Sequence, residues 1–194
     1  MTIQKQSLRA LLTLPNLLSC FRFVSAPVLL WLAWHDYENA FLLLLAVTIL
    51  TDALDGLAAR LLHQESELGA LLDSWGDIVT YIIIAVSAWW LWPEIIQREK
   101  MYVIMAVSSY LLPVTIGAIK FRALTSYHTW MVKCAAVIMT ISFFILFVFD
   151  IVLPFRIAAF ICLLAAVEEI AITFYLSELR SNVHSLWHVI TKPA

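Results

Sequence analysis

The amino-acid sequence predicts an all-α integral membrane bundle of six transmembrane helices, with a short interfacial helix at the N terminus. Composition is the first reason. The 194 residues are 63% hydrophobic and 13% charged, with a mean hydropathy of +0.91, whereas a soluble domain is about 45–50% apolar and about 25% charged. A water-soluble protein of this length has too small an interior for so much apolar surface, so lipid must be the solvent. The second reason is length: six stretches approach the roughly 20 apolar residues that a membrane helix needs. The third is that the breaks between them are short and polar.

Taken in order, Met1 to Leu14 is mixed, carries Lys5 and Arg9, and suits a helix lying along the membrane surface. The first span covers Leu17–Trp34, and His35 to Asn39 breaks it from the second, Ala40–Leu62. His63 to Glu67 leads into Leu68–Trp92. Pro93 to Lys100 precedes Met101–Ile119, and Lys120 to Thr129 precedes Trp130–Phe149. Asp150 and Pro154 mark the turn into the sixth, Phe155–Leu176. The apolar run after Thr13 is too long for a cleavable signal peptide and reads as a retained span. Trp31, Trp34, Trp89, Trp90 and Trp92 fall at span ends, where indoles anchor at the headgroups. No internal repeat or low-complexity segment appears, so residues 1–194 read as one domain.

Six spans put both termini on one side of the membrane. That side holds Lys5, Arg9, Arg60, Lys120, Arg122, Arg180 and Lys192, against Arg98, Lys100 and Arg156 on the other. The excess of basic residues makes it the cytoplasmic side; in a bacterium the membrane is the inner one. Arg22 and Lys133, near the cytoplasmic ends of spans one and five, agree. A net charge of −2 without a basic block argues against nucleic acid as a partner. Cys20, Cys134 and Cys162 are scattered through apolar stretches and read as small buried hydrophobes.

Four aspartates stand out against this background. Asp52, Asp55, Asp73 and Asp77 sit in the stretch DALDGLAARLLHQESELGALLDSWGD. A central Asp costs about 2.5 to 3.5 kcal/mol on insertion scales, so four together need a purpose. Asp52 and Asp55 lie about 60° apart on one helix face, and Asp73 and Asp77 about 40° apart on the next. A short loop runs these helices antiparallel, so the two acidic faces can meet near the cytoplasmic surface. Four converging carboxylates cannot all ionise without counter-charge. Divalent cations resolve this, and an oxygen-only donor set without His or Cys suits Mg²⁺ or Mn²⁺. Gly56 and Ala59 keep the helix surface low, so that a flat base or a diphosphate can approach closely. Arg60 offers a bidentate donor to a phosphate, while Gly69 and Gly76 permit close helix packing.

These residues resemble the signature of the CDP-alcohol phosphotransferase family, D-x2-D-G-x2-A-R-x8-G-x3-D-x3-D. All eight positions match with no change of spacing: Asp52, Asp55, Gly56, Ala59, Arg60, Gly69, Asp73 and Asp77. Leu14 to Arg22, followed by Pro27, is similar to the first span of the phosphatidyl-transferring, phosphatidylglycerophosphate synthase-like members. The resemblance implies that Asp52, Asp55, Asp73 and Asp77 hold two divalent cations on the diphosphate of a CDP-linked lipid. Asp77 would also be the general base that takes the proton of the attacking hydroxyl. Gly56, Ala59, Arg60 and Ser66, with Asn16 and Ser19 from the first span, would contact the CDP-lipid. Direct displacement with CMP leaving needs no covalent intermediate, and a homodimer is implied as the assembly.

The competing readings differ in what they explain. A divalent-cation carrier accounts for four aspartates but not for Gly56 and Arg60 at their offsets. An intramembrane prenyltransferase would show a second Asp-rich motif on a distant helix, and none follows Asp77. Lys120, Arg122 and Lys133 are either headgroup anchors or a basic pocket for a phosphate on the acceptor. The chain departs there from the Gly-Lys-x-Lys-Thr pattern of glycerol-phosphate users, having Ser126-Tyr127-His128-Thr129 and then Lys133. Glu168 and Glu169 point about 100° apart and read as interhelical structure, one pairing with a cation from another helix. His184 and His188 have metal-ligand spacing but no carboxylate support, and read as surface residues.

The expected function is therefore transfer of a phosphatidyl group from CDP-diacylglycerol to a small alcohol, releasing CMP, in phospholipid biosynthesis. Glycerol 3-phosphate is the first acceptor expected, with inositol phosphate, inositol or serine next. A soluble CDP-alcohol donating to a lipid is the more distant arrangement.

Overall fold

The computed structural model describes residues 14–62, 67–122, 129–176, 183 and 185–187. Every regular element among them is a helix: α1 (Leu14–Trp34), α2 (Glu38–Leu61), α3 (Glu67–Leu91), α4 (Pro93–Arg98), α5 (Lys100–Phe121), α6 (Trp130–Phe149) and α7 (Val152–Tyr175). The predicted fold class holds. Five helices carry segments long and apolar enough to cross a membrane, and Cys20–Trp34 of α1 is a shorter apolar stretch. The N-terminal interfacial helix expected over Met1 to Leu14 falls almost wholly outside the described residues, as do His184 and His188.

The chain divides into two compact units, Met1–Pro93 and Glu94–Ala194. In the first, α1 packs against both α2 and α3. The turn from α1 to α2 is tight because Asp36 adopts left-handed backbone (φ 57°), a conformation that short polar side chains tolerate. The Tyr37 N–H then donates to the Leu32 carbonyl at 3.0 Å. Leu29, Ala33, Phe41 and Leu45 are fully buried in the seam. Pro27 is accommodated inside α1, as prolines often are in membrane helices. Trp92 departs from its expected role: it is buried, with its ring edge-on to Phe41 at 6.0 Å, while Trp31, Trp34, Trp89 and Trp90 are exposed.

In the second unit α7 packs against α5 and α6. Ala158, Ala159, Ala165 and Ala166 are buried along it, which lets helix backbones approach closely. The Pro93 to Lys100 break proves to hold a helical turn and a half, with Pro93 at the start where its missing N–H costs nothing. Thr129 caps α6 by accepting from the Val132 N–H at 3.2 Å. Val183 and Leu186 pack on Ile172, Leu176 and Phe121 at the end of α7. Cys20 and Cys134 are exposed on their helices rather than buried, and Cys162 is half-buried.

Candidate active site

Three helices of the first unit come level at one depth. α1 and α2 share a tight turn, and α3 ends beside α1, where Trp34 and Trp90 meet edge to face with centroids 5.2 Å apart. Measured from that common end, Arg22 lies twelve residues back along α1, Asp52 fourteen along α2, and Asp77 fourteen back along α3. At 1.5 Å per residue these are about 18, 21 and 21 Å. Regular helices therefore deliver all three side chains to the same level.

Arg22 is the hub of this level. Its Nη1 lies 2.6 Å from Asp52 Oδ1 and donates to Asp77 Oδ1 at 2.8 Å. Its Nη2 donates to Asp55 Oδ2 at 3.1 Å. The Arg22 side chain is 2% exposed and that of Asp55 6%, whereas Asp52 and Asp77 are 37% and 35% exposed. The cluster is thus closed at its base and open on one side. Among the described side chains, one guanidinium meets three carboxylates, and carboxylates this close raise one another's cost of ionisation.

The surroundings fix the guanidinium in place. A Cβ added to Gly76 would sit 3.1 Å from both Cζ and Nη1 of Arg22. The expected close packing at Gly76 is therefore against a guanidinium. A Cβ on Gly56 would meet nothing within 4 Å, so the α2 surface one turn beyond Asp52 stays open. Ser25 Oγ donates to the Arg22 carbonyl at 3.1 Å, and Thr48 Oγ1 lies 3.2 Å from Ser25 Oγ. This buried chain ties α1 to α2 one turn from Arg22.

Asn16, Ser19, Ala59, Arg60 and Asp73 lie on α1, α2 and α3, but their side chains fall outside the described residues, and Ser66 does so entirely. Register alone puts Asp73 one turn before Asp77 on α3. Among the described residues no group of three His, Cys, Asp or Glu is spaced to hold a metal ion. In kind, the donors fit a hard divalent cation: oxygen only, net negative and convergent. A carboxylate offers about four lone-pair sites, so a contact to Arg22 does not exhaust it. The described side chains alone do not complete a ligand set, and Asp73 is the carboxylate that would extend it.

The second unit treats the expected acceptor residues differently from one another. Lys120 Nζ donates to the carbonyls of Thr173, Phe174 and Leu176 at 2.8, 3.1 and 2.8 Å. All three ammonium hydrogens go to the C-terminal carbonyls of α7, where a cation also answers the helix dipole. Lys120, expected as a cation for the acceptor, is thus engaged at the end of α7. Arg122 ends α5 in left-handed backbone (φ 53°). Lys133 is exposed, its Nζ 5.6 Å from the Trp130 ring centroid. Glu168 accepts from Thr129 Oγ1 at 3.1 Å and from the Leu186 N–H at 3.2 Å, in keeping with the interhelical role read for this pair of glutamates.

Two features escaped the reading of the sequence. One is Arg22 at the centre of the acidic site; its signal in the sequence is weak, since an arginine near the end of a span either pairs with a counter-ion or snorkels to the headgroups. The other is buried Glu99, which accepts from Arg156 Nε and Nη2 at 2.7 and 2.9 Å. Arg156 holds the Glu99 carboxyl below the usual carboxylate range, and burial only partly opposes it. Asp150, bonded to Arg98, is lowered likewise.

A family model described as CDP-alcohol phosphatidyltransferase matches residues 12–183 and so runs through both units. A cardiolipin synthase (CMP-forming) of Streptomyces coelicolor is 35% identical over 107 residues, 48% of this chain and 50% of that protein. The rat cardiolipin synthase (CMP-forming) is 34% identical over 118 residues, 60% of this chain and 38% of that protein. A CDP-diacylglycerol–glycerol-3-phosphate 3-phosphatidyltransferase of Aquifex aeolicus is 35% identical over 68 residues, 35% of this chain and 38% of that protein. The chain spans half the length or less of these curated relatives. No solved structure gives a significant match.

Proposed function

The chain belongs to the CDP-alcohol phosphatidyltransferase family, and on that footing we propose that it transfers a phosphatidyl group from CDP-diacylglycerol to an alcohol, releasing CMP. One observation carries the reading: Asp52, Asp55 and Asp77, from two helices, converge on a single buried guanidinium. The family is generally divalent-cation dependent. Two Mg²⁺ or Mn²⁺ ions held by Asp52, Asp55, Asp73 and Asp77 would supply neutralisation of the diphosphate charge. Asp77 takes the proton of the acceptor hydroxyl. The acceptor oxygen bonds to the phosphatidyl phosphorus as the bond to the CMP oxygen breaks. Gly56 and Ala59 leave room for the nucleotide, and Arg60, Ser66, Asn16 and Ser19 bind the CDP-lipid. The reaction faces the cytoplasm, and the working unit is a homodimer.

The acceptor we favour is the glycerol headgroup of phosphatidylglycerol. Cardiolipin carries two phosphatidyl groups on one glycerol, and two of the three relatives described above are cardiolipin synthases. Glycerol 3-phosphate is the second reading, supported by the Aquifex relative and by the first span; Arg122 and Lys133 are the cations left to receive its phosphate. Purified full chain with Mn²⁺ and labelled CDP-diacylglycerol should be offered phosphatidylglycerol, glycerol 3-phosphate, inositol phosphate, inositol and serine in turn. CMP release that depends on phosphatidylglycerol, with cardiolipin formed, is expected. Release dependent on another acceptor reassigns the product. Failure with all of them, together with metal flux in vesicles, would establish the cation carrier instead.

A further inference from the structure

We propose that Arg22 is the positioning residue of the acidic site: from α1, its guanidinium orients Asp52 and Asp55 of α2 and Asp77 of α3 toward the bound cations. The inference rests on the metal-dependent reading above and concerns a residue outside the eight signature positions. The guanidinium works as a fork: Nη1 reaches carboxylates on α2 and α3 at once, and Nη2 takes a second carboxylate on α2. A planar, rigid fork presents donors from two separated nitrogens and so fixes the direction of each carboxylate, whereas an ammonium gathers its rotatable donors on one nitrogen. The seat is also built for it. The side chain is 2% exposed, Gly76 leaves the space that Cζ, Nη1 and Nε occupy at 3.1 to 3.3 Å from a notional Cβ, and Ser25 with Thr48 braces the Arg22 carbonyl.

A guanidinium among metal ligands can act in two opposite ways. As a competitor it holds the carboxylates away from the metal, and its removal tightens metal binding. As a positioner it holds the carboxylates in place, and its removal costs affinity; partners that orient metal ligands are typically worth 10- to 100-fold. Charge allows the second, because one guanidinium carries less charge than the three carboxylates it touches. The Gly76 seat favours it, because a residue that must leave on each metal binding needs no fitted recess.

The test uses the full chain in nanodiscs, with Mn²⁺ binding followed by electron paramagnetic resonance of the free ion and thermal unfolding followed in parallel. Arg22→Gln should bind Mn²⁺ about 10- to 100-fold more weakly than the unaltered chain. Arg22→Lys should not restore the affinity. Gly76→Ala keeps every charge and adds a better helix former, yet displaces the guanidinium by a few tenths of an ångström. Its melting temperature should stay or rise while Mn²⁺ affinity falls several-fold. Unchanged or tighter binding in Arg22→Gln overturns the proposal, as does full recovery by Arg22→Lys. Should Arg22→Gln fail to fold, Gly76→Ala decides alone, and native affinity there overturns it. If the unaltered chain binds no Mn²⁺, the metal reading of the site fails and this inference falls with it.

Discussion

Gly76 lacks a single carbon, and that absence decides where the Arg22 guanidinium can lie and hence which way three aspartates face. The general-base role proposed for Asp77, which is 35% exposed and bonded to Arg22 through Oδ1, is tested at this scale. Replacing it by Asn keeps the shape and removes the basic oxygen. Turnover in the CMP-release assay should fall by about 10² to 10⁴, while CDP-diacylglycerol binding, measured separately, stays within a few-fold. Native turnover in Asp77→Asn would remove the general-base role. The aspartates were legible in the sequence because carboxylates are costly in a membrane span and their spacing is helical. Arg22 was not legible as a site residue, because an arginine near a span end has an inexpensive alternative in snorkelling to the headgroups. Its partners lie 33 and 55 residues away in sequence, beyond the reach of any local pattern.

Ends of elements were harder to read than their middles. Lys120 looked like a cation available to an acceptor, yet it closes the end of α7. Lys120→Ala should cost about 1–3 kcal/mol of stability, seen as a lower melting temperature, with the Michaelis constant of the acceptor unmoved. A raised Michaelis constant at native stability would return Lys120 to the acceptor site. Lys133→Ala makes the opposite forecast if the acceptor carries a phosphate: stability holds and the Michaelis constant rises. The start of α5 carries a pH dependence. The Glu99 carboxyl is depressed below its ordinary value by Arg156, so its stabilising contribution is complete above about pH 4.3. That contribution is lost as pH falls further, through the lowered folded-state value. The melting temperature should therefore drop from pH 6 to pH 3, and drop less in Glu99→Gln, which starts lower. Equal drops in the two proteins would show that the Glu99–Arg156 pair does not govern acid stability. No sequence pattern pairs these residues, which are 57 apart.

For the whole molecule, the solvent was legible and the arrangement was not, for one reason. Leu43, Leu50, Ile82, Ile104, Val137, Ile141, Phe160 and Val167 are all exposed on their helices. Apolar residues thus face outward as well as inward, which suits lipid and identifies a membrane protein from composition alone. The same uniformity removes the polar-outside contrast that tells a soluble helix which face to bury, so helix partners cannot be read from periodicity. Orientation depends on charge, and charge makes a checkable claim: the excess of Lys and Arg would put both termini and the α2–α3 connection in the cytoplasm. Cys20 and Cys134 are exposed, so single cysteines must be introduced into a chain from which the three native ones have been removed. A membrane-impermeant maleimide should label Tyr37→Cys, in the α1–α2 turn, in intact cells. It should label Gln64→Cys only after permeabilisation. The reverse pattern would place the aspartate cluster toward the outer face and overturn the orientation read from charge.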